Sequence, residues 1–447
     1  MAEYVHFIGI GGISMSGIAK ILLNNGIKVS GSDISESDSV KELRDLGAIV
    51  NIGHSADNIQ GQDIVVYTSA VHDDNPEIVA AKEKGIKLID RATMLGIIMK
   101  NYKNAISVAG THGKTTATSM LAYVLLAAEM DPTIMVGGKL DGIDGNLRIG
   151  ESDCFITETC EYMRNFLKFF PTVAVILNVE EDHLDYYKDI NDIIDAFQSF
   201  CGLVPEDGFI VVNNESDNAL KSAEDAKAKV YTFGFDGADF SAENITYSSY
   251  GYPSFDIYSG SELIGHLELN VVGIHNVLNA TACALAASKL GIGFDMIKKG
   301  LEAFTGTKRR FEKKGFVNGA LVIDDYAHHP TEIEATLKAL GNVNHTSEWC
   351  IFQPHTYTRT ISLMDDFAKA LSMAGNVIIT DIYAAREKDT GIVHAKDLAD
   401  KIENAVYIKN FADIEDYIRK NASEGDVVLT MGAGDVYKIG ESLCKQE

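Results

Sequence analysis

Short apolar runs alternate along nearly the whole chain with stretches whose apolar residues recur at helical spacing. The strand-like runs are YVHFI (4–8), DIVVYTSA (63–70), ISVAG (106–110), VAVILNV (173–179), FIVVNN (209–214), ALVIDDY (320–326), CIFQPH (350–355), VIITDIY (377–383) and VVLTMGAG (427–434). This alternation is typical of parallel sheets with helices on both faces. It predicts an α/β fold whose ligands bind at the carboxyl ends of strands.

The chain is long enough for several domains. Its 447 residues exceed what one hydrophobic core supports, because a domain usually holds about 100–200 residues. One glycine-rich turn lies near the start, a second near residue 110, and the charged stretch KRRFEKKG (308–315) precedes a new strand-like run. We expect three domains, at 1–102, 103–306 and 307–447. Frequent Tyr, Ser and Gly at 231–270 predict a small antiparallel excursion within the second.

Composition narrows the classes of function. The formal net charge is -25, which argues against a surface that binds nucleic acid, since such surfaces cluster Lys and Arg. An anionic ligand must therefore be held by glycine loops, helix N-termini, metal ions or a few placed cations.

Cysteine usage and hydropathy indicate the cellular compartment in which the protein is expected. The six cysteines include no C-x-x-C pair, which favours reduced thiols over disulfides or a zinc site. No leader pattern and no run of ~20 apolar residues is present. We expect a cytoplasmic protein without a membrane partner, and the sequence carries no signal for its oligomeric state.

The turn GTHGKTT (110–116) follows a strand-like run and opens a helical pattern. This is the context of a phosphate-binding loop, in which backbone N–H groups cradle phosphate oxygens. Lys114 would reach the β and γ phosphates, and the Thr115 hydroxyl would bind Mg²⁺. The fit to G-x-x-x-x-G-K-[ST] is incomplete because Val108 stands where the motif has glycine. The alternative is an ordinary glycine turn.

A second glycine loop, GIGGISMSG (9–17), follows the first strand-like run. Asp33 ends the next strand, as in folds that bind nucleotides at this position. The pattern G-x-G-x-x-G is broken by Ser14 in place of its last glycine. A nucleotide diphosphate is the expected ligand, and a purely structural turn is the alternative.

Acidic and histidine residues follow other strand-like runs. ETCE (158–161) and EEDH (180–183) could bring Glu158 and His183 to a Mg²⁺ ion beside the phosphate loop. Glu180, Glu181 and Cys160 are interpreted as ordinary loop residues.

The last third of the chain offers further polar groups at strand ends. DDYAHHPTE (324–332) contains His328 and leads into a predicted helix start at Pro330, and QPHTYTRT (353–360) contains His355 and Arg359. Together these side chains suggest a small polar substrate, and an arginine fork would suit a carboxylate. A single histidine in such a place is more often structural.

Six ordered motifs now identify a family resemblance. GTHGKTT, LNVEEDHLDYY, GIHNVLNATA (273–282), GTKRRFE (306–312), DDYAHHPTEI and QPHTYTRT resemble the Mur ligases of peptidoglycan synthesis. The opening GIGGISMSGIA also matches, with Ser14 for a glycine. The resemblance implies an N-terminal Rossmann-like domain for a UDP-sugar, a central ATPase with a phosphate loop, and a C-terminal Rossmann-like domain for an amino acid.

The resemblance further implies an ATP-dependent reaction that joins L-alanine to the lactyl carboxylate of UDP-N-acetylmuramate through an acyl phosphate, with Mg²⁺. It assigns three groups of residues. The nucleotide would contact Gly110, Thr111, His112, Gly113, Lys114, Thr115, Thr116, Asn276, Asn279 and Arg310. The metal would be held by Thr115, Glu158 and His183. The substrates would contact Gly11, Gly12, Ser14, Met15, Ser16, Asp33, His328, His355 and Arg359. Catalysis would rest on Lys114, Glu158, His183, His328 and Arg359.

Three departures from the family pattern matter. Thr356 replaces an arginine common in QPHRYTRT, the acids after Glu161 are missing, and residues 190–203 contain no lysine of the kind that sister ligases carbamylate. The last departure favours the alanine-adding type. A recycling ligase that adds a preformed peptide to the same sugar nucleotide is the nearest alternative. A nicotinamide-dependent oxidoreductase and a non-enzymatic ATP-binding module remain as alternatives of other classes.

Overall fold

Two units, defined by their internal contacts, make up the structure. The computed structural model describes residues 2–68, 70–143, 145–184, 186–385, 387–389 and 391–445. The first unit comprises residues 1–118 and 129–232, and the second comprises 119–128 and 233–447. No helix in the described ranges is both long enough and apolar enough to span a bilayer.

The first unit begins with a parallel five-stranded sheet in the order β3-β2-β1-β4-β5. Its strands are β1 (Tyr4–Ile8), β2 (Lys28–Asp33), β3 (Ile49–Ile52), β4 (Ile64–Tyr67) and β5 (Lys87–Asp90). Its helices are α1 (Ile13–Asn24), α2 (Asp38–Asp45), α3 (Pro76–Glu83) and α4 (Arg91–Met99). Local sequence explains several starts: the Ser37 and Asp90 side chains cap α2 and α4, and Pro76 occupies the first turn of α3.

The same unit contains a second sheet region, with strands in the order β11-β10-β6-β9-β7-β8. The elements are β6 (Asn104–Ala109), α5 (Lys114–Ala127), β7 (Thr133–Leu140), β8 (Gly145–Arg148), β9 (Cys154–Glu158), β10 (Val173–Ile176), α6 (Ile190–Cys201), β11 (Phe209–Asn213) and α7 (Asp217–Ala223). Only the first part of α5 belongs to this unit, because residues 119–128 are assigned to the second. All pairs are parallel except β7 with β8. β10 is buried along its whole length, as expected for a strand covered on both faces.

The second unit starts with an antiparallel piece and two helices. Strand β12 (Lys229–Gly234) crosses the division between the units and is followed by β13 (Phe240–Tyr247), β14 (Pro253–Ser259), β15 (Glu262–Glu268), α8 (Ile274–Lys289) and α9 (Phe294–Ala303). β13 with β14 and β14 with β15 pair antiparallel, so the excursion predicted at 231–270 is confirmed.

The chain ends in a six-stranded sheet in the order β16-β17-β21-β18-β19-β20, parallel except for the β16–β17 pair. The strands are β16 (Glu312–Val317), β17 (Ala320–Asp325), β18 (Glu348–Phe352), β19 (Asn376–Ile379), β20 (Ala405–Tyr407) and β21 (Val427–Met431). The helices are α10 (Pro330–Leu340), α11 (Tyr357–Ser362), α12 (Met364–Leu371), α13 (Ala395–Ala399), α14 (Phe411–Asn421) and α15 (Tyr437–Cys444).

The predicted α/β fold is confirmed, with small corrections to the strand ends. Each of the nine predicted runs contains a strand, but most strands stop several residues early because their glycine or polar tails leave the sheet as loops. Ser69, within the run predicted at 63–70, lies outside the described residues. These loops at the carboxyl ends of strands carry most of the predicted site residues.

One close contact holds α4 against the region that follows β9. A Cβ added at Gly96 would lie 2.0 Å from the carbonyl oxygen of Lys168. The Lys168 ammonium also contacts the Asp90 carboxylate at 2.9 Å, at the start of the same helix. Only glycine permits this approach, so α4 packs directly against the backbone of Lys168.

We therefore predict that Gly96→Ala destabilises the protein by about 1–3 kcal/mol, since backbone cannot yield as a side chain can. The control is Gly17→Ala in α1, where the added Cβ would meet the flexible Met135 side chain at 3.5 Å. Helix propensity favours alanine there by up to about 1 kcal/mol. Thermal melts followed by circular dichroism provide the comparison. Equal midpoints for the two variants would contradict the packing argument.

Candidate active site

The turn between β6 and α5 has the backbone of a phosphate-binding loop. Gly110 and Gly113 adopt φ of 146° and 82°, which side chains disfavour. Asn178, which follows β10, clamps the turn: it accepts from the N–H groups of Thr111 (3.1 Å, to its carbonyl) and His112 (2.8 Å, to Oδ1). The Nε2 atom of His112 lies 3.5 Å from Glu180. Asn178 lies in the motif LNVEEDHLDYY, but no role was predicted for it.

Lys114 begins α5 and is held by oxygen atoms. Its Nζ donates to the Thr111 carbonyl (3.0 Å) and to both carboxylate oxygens of Glu161 (3.0 and 3.2 Å). The Glu161 side chain is only 4% exposed. Burial acts to lower the pKa of Lys114, but Glu161 and neighbouring acidic groups more than offset it, so the pKa lies above its ordinary value. The side chain is therefore an ammonium at neutral pH.

Thr115 and Glu158 meet beside this lysine. The Thr115 hydroxyl donates to Glu158 Oε2 at 2.6 Å, although 43 residues separate the two. The carboxylate fits because Gly137 in β7 has no side chain: a Cβ there would lie 2.0 Å from Glu158 Oε1. Thr116, one residue further along α5, is buried. The sequence identified Thr115 and Glu158, but it gave no sign of the role of Gly137.

His183 lies in a cluster that the sequence identified only in part. Ligand atoms of Glu161, Asp182 and His183 all lie within 4.8 Å of one another. The His183 ring packs on Tyr162, with centroids 4.6 Å apart, and its backbone has φ of 54°. Two carboxylates and an imidazole are a donor set that suits a hard divalent cation. Glu161 and Asp182 were not predicted, although they lie in ETCE (158–161) and EEDH (180–183), the same segments that supplied Glu158 and His183.

The first glycine loop joins β1 to α1. The Gly11 N–H donates to Asp33 Oδ2 at 2.9 Å, and a Cβ at Gly11 would contact the same oxygen. Gly12 caps α1 without a side-chain hydrogen bond, and Ser14 accepts from Arg91 at 2.8 Å. The structure thus brings Asp33, Gly11 and Gly12 together at the carboxyl ends of β1 and β2.

Met15 and Ser16 behave differently from the rest of this loop. Met15 is 2% exposed and belongs to the hydrophobic core, while the Ser16 hydroxyl donates to the Ile13 carbonyl. Both side chains are therefore held within the protein, and the Ser16 N–H also donates to the Gly12 carbonyl at 2.8 Å.

In the second unit, the residues expected to contact the nucleotide are largely bonded within the protein. Asn276 donates to the Val272 carbonyl at 2.8 Å and accepts from Asn279 at 3.1 Å, both at the start of α8. Arg310 lies over the Tyr326 ring at 5.2 Å and 3.8 Å from Glu332.

A histidine–arginine group lies at the carboxyl ends of β17 and β18. The rings of His328 and His355 are 5.8 Å apart, and Arg359 Nη1 lies 3.4 Å from His355 Nδ1. His355 stacks on Tyr383 with centroids 5.6 Å apart. Burial is the main cause that lowers the pKa of His355 to about 4, with His328 and Arg359 contributing. His355 is therefore neutral at physiological pH.

The loop that carries this group has two unusual features. Thr356, where the family often has arginine, adopts φ of 66°. Glu387, which was not predicted, accepts from the N–H groups of Tyr357 (2.6 Å) and Thr358 (3.0 Å) and so anchors the first turn of α11. Arg359 lies on that turn.

Comparison with known proteins gives one consistent family. Residues 4–103 match the Mur ligase family, catalytic domain; residues 108–287 match the Mur ligase middle domain; and residues 309–434 match the Mur ligase, glutamate ligase domain.

Individual proteins match over almost the entire chain. UDP-N-acetylmuramate–L-alanine ligase of Clostridium botulinum is 52% identical, covering 98% of this chain and 97% of its own. The crystal structure of UDP-N-acetylmuramate-alanine ligase MurC from Thermotoga maritima is 32% identical with a TM-score of 0.80, covering 98% of both chains. A murein peptide ligase from Psychrobacter arcticus is 25% identical with a TM-score of 0.70, covering 99% and 98%.

The neutral state of His355 leads to a direct prediction. Its ring resonances should stay constant as pH falls from about 8 to about 5 and should change only near pH 4, because desolvation and adjacent cations disfavour the imidazolium. NMR of histidine-labelled protein, assigned with His355→Gln and referenced to free histidine in the same tube, measures this. A midpoint near the ordinary histidine value of ~6.5 would contradict it.

Proposed function

The chain belongs to the Mur ligase family, and from this premise we propose that it joins L-alanine to the lactyl carboxylate of UDP-N-acetylmuramate, with conversion of ATP to ADP and phosphate. The observation that carries the proposal is the 52% identity, over 98% of the chain, to a ligase named for this reaction. The family's three-domain α/β architecture applies to this chain. We propose domain limits of 1–102, 103–306 and 307–447.

The reaction requires activation of a carboxylate. A carboxylate oxygen attacks the γ-phosphorus of ATP, the bond to the bridging oxygen breaks, and ADP leaves. The neutral amine of alanine then attacks the acyl carbon, and the tetrahedral adduct collapses to an amide as phosphate leaves and the amine gives up a proton. Two anions must approach each other in the first step, and like charges 4 Å apart repel by about 4 kcal/mol at an effective dielectric constant of 20.

Lys114 supplies the cation that offsets this repulsion. In the structure its ammonium contacts Glu161, so we propose that it exchanges this carboxylate for phosphate oxygens when ATP binds. The backbone N–H groups of 110–116 would hold the remaining phosphate oxygens, as at other helix N-termini. Asn276, Asn279 and Arg310 are proposed to contact the adenine and the phosphates.

The acidic cluster suits Mg²⁺. We propose Thr115, Glu158 and His183 as its ligands, with Glu161 and Asp182 beside them, because the oxygen-rich donor set of these residues fits a hard cation. When bound, Mg²⁺ would neutralise phosphate charge and draw electron density from the transferred phosphoryl group. Glu158 remains correctly placed only while Gly137 leaves it room.

The other two substrates are assigned to strand-end groups already described. The sugar nucleotide is proposed to contact Gly11, Gly12, Ser14 and Asp33, and the first turn of α1 at Met15 and Ser16. Alanine is proposed to contact His328, His355 and Arg359. Arg359 would hold the alanine carboxylate as a fork, and neutral His355 would not repel the amine.

The alternative of a peptide-adding recycling ligase is not favoured. The murein peptide ligase structure shares the fold at 25% identity, whereas the alanine ligase of Clostridium botulinum is 52% identical.

A substrate-pair assay tests the function. Purified protein with ATP, Mg²⁺ and UDP-N-acetylmuramate should release phosphate when L-alanine is added and should not when the tripeptide L-alanyl-γ-D-glutamyl-diaminopimelate is added. Mass spectrometry should find the alanyl product. Phosphate release with the tripeptide alone would assign the recycling reaction instead.

The role of Lys114 gives a second prediction. Lys114→Ala should lower kcat by about 10²–10³-fold, the usual effect of removing one group that stabilises transition-state charge. Lys103→Ala is the matched control, since it removes an exposed lysine from the same unit. Steady-state phosphate release measures both. If the Lys114→Ala variant were as active as the control, the proposed role of this ammonium would be wrong.

A further inference from the structure

Arg91 is a cation whose position the proposed reaction has not yet used. It is the first residue of α4 and follows Asp90, the last residue of β5. Its Nη1 donates to the Ser14 hydroxyl at 2.8 Å. Ser14 lies in the first turn of α1, immediately after the first glycine loop. Both helices follow parallel strands of one sheet, so their N-termini lie at the same edge.

The charge of Arg91 is not balanced by the acid next to it. Asp90 accepts from the Thr93 N–H and hydroxyl (both 3.0 Å) and pairs with Lys168. Among the described residues, no carboxylate forms an ion pair with Arg91. The chain has a net charge of -25, so an arginine without an acidic partner is notable here.

Helix geometry increases the local positive potential. The N-termini of α1 and α4 both carry partial positive charge from unsatisfied N–H groups. A guanidinium at the first position of a helix is unfavourable with respect to that dipole. Two helix N-termini and a guanidinium thus combine at the loop where Gly12 and Ile13 are exposed, and an anion bound there would relieve the repulsion.

Both helices pack against parts of the same unit that lie later in the chain. Gly96 of α4 contacts the Lys168 backbone, and Gly17 of α1 contacts Met135 of β7.

We propose that Arg91, oriented by the Ser14 hydroxyl, binds an anionic group of the sugar nucleotide, either its diphosphate or its lactyl carboxylate. Both groups present oxygen pairs that match the guanidinium fork. Ser14 stands where the family motif has glycine, so this chain holds the arginine with a hydroxyl that a glycine lacks. This inference rests on the proposed function, because that function identifies the ligand as the sugar nucleotide.

Calorimetric titration and steady-state kinetics on the full chain test the proposal. Arg91→Gln should weaken binding of UDP-N-acetylmuramate about 10- to 100-fold, as expected for loss of a charge-assisted hydrogen bond. Its KM for that substrate should rise while the KM values for ATP and alanine and the melting temperature stay unchanged. Arg91→Lys should recover part of the affinity. Ser14→Ala and Ser14→Gly should each weaken binding about threefold.

Titration with UDP alone shows which of the two anionic groups Arg91 binds, because UDP has the diphosphate but not the lactyl carboxylate. If Arg91→Gln weakens UDP binding as much as it weakens binding of the full substrate, the diphosphate is the ligand; if UDP binding is unchanged, the carboxylate is. Lys41→Gln on α2 is the control, because it removes the same charge from an exposed side chain.

Unchanged binding of the full substrate to Arg91→Gln, or a loss matched by Lys41→Gln, would overturn the inference. Because these titrations need no turnover, an inactive wild-type protein that still binds UDP-N-acetylmuramate through Arg91 would refute the proposed reaction but not this inference.

Discussion

The ion pair between Lys114 and the buried Glu161 is the interaction on which the proposed catalytic arrangement depends. The Lys114 side chain is 18% exposed, and a carboxylate at 3.0 Å balances its charge. Glu161 in turn contacts His183 at 3.7 Å, so one acid joins the phosphate loop to the proposed metal cluster. The pair places a cation at the turn where we propose that the triphosphate binds. A chain with a net charge of -25 could not attract these anions through its overall charge.

Much of the fold follows from local sequence. Alternating apolar runs and helical patterns predicted nine of the described strands, and the structure corrected mainly the ends of these nine, since polar tails such as QPH after β18 leave the sheet. The phosphate loop was also predictable, because glycines, Lys114 and Thr115 are adjacent in sequence and their chemistry depends on that adjacency. Glu158 and His183 were chosen because strand ends of a parallel sheet share one edge, and the described contacts place them beside Thr115 and Glu161 respectively.

The remaining site residues depend on contacts between distant parts of the chain. Glu161 is 47 positions from Lys114, and Asn178 is 66 from His112; no local pattern marks either contact. Gly137 matters only because Glu158 occupies the space of its absent side chain. Family motifs identified Met15 and Ser16 but could not show that both side chains point into the protein. Likewise, the motif marked Ser14 as a departure, and only the structure showed its contact with Arg91.

The most direct test of the account is a crystal structure of the protein with Mg²⁺ and a non-hydrolysable ATP analogue. We predict a triphosphate on the 110–116 turn, with Lys114 Nζ moved from Glu161 to phosphate oxygens at hydrogen-bond distance, about 2.7–3.2 Å. A triphosphate bound elsewhere, with the Lys114–Glu161 pair intact, would contradict the central claim that this ammonium brings the two anions together.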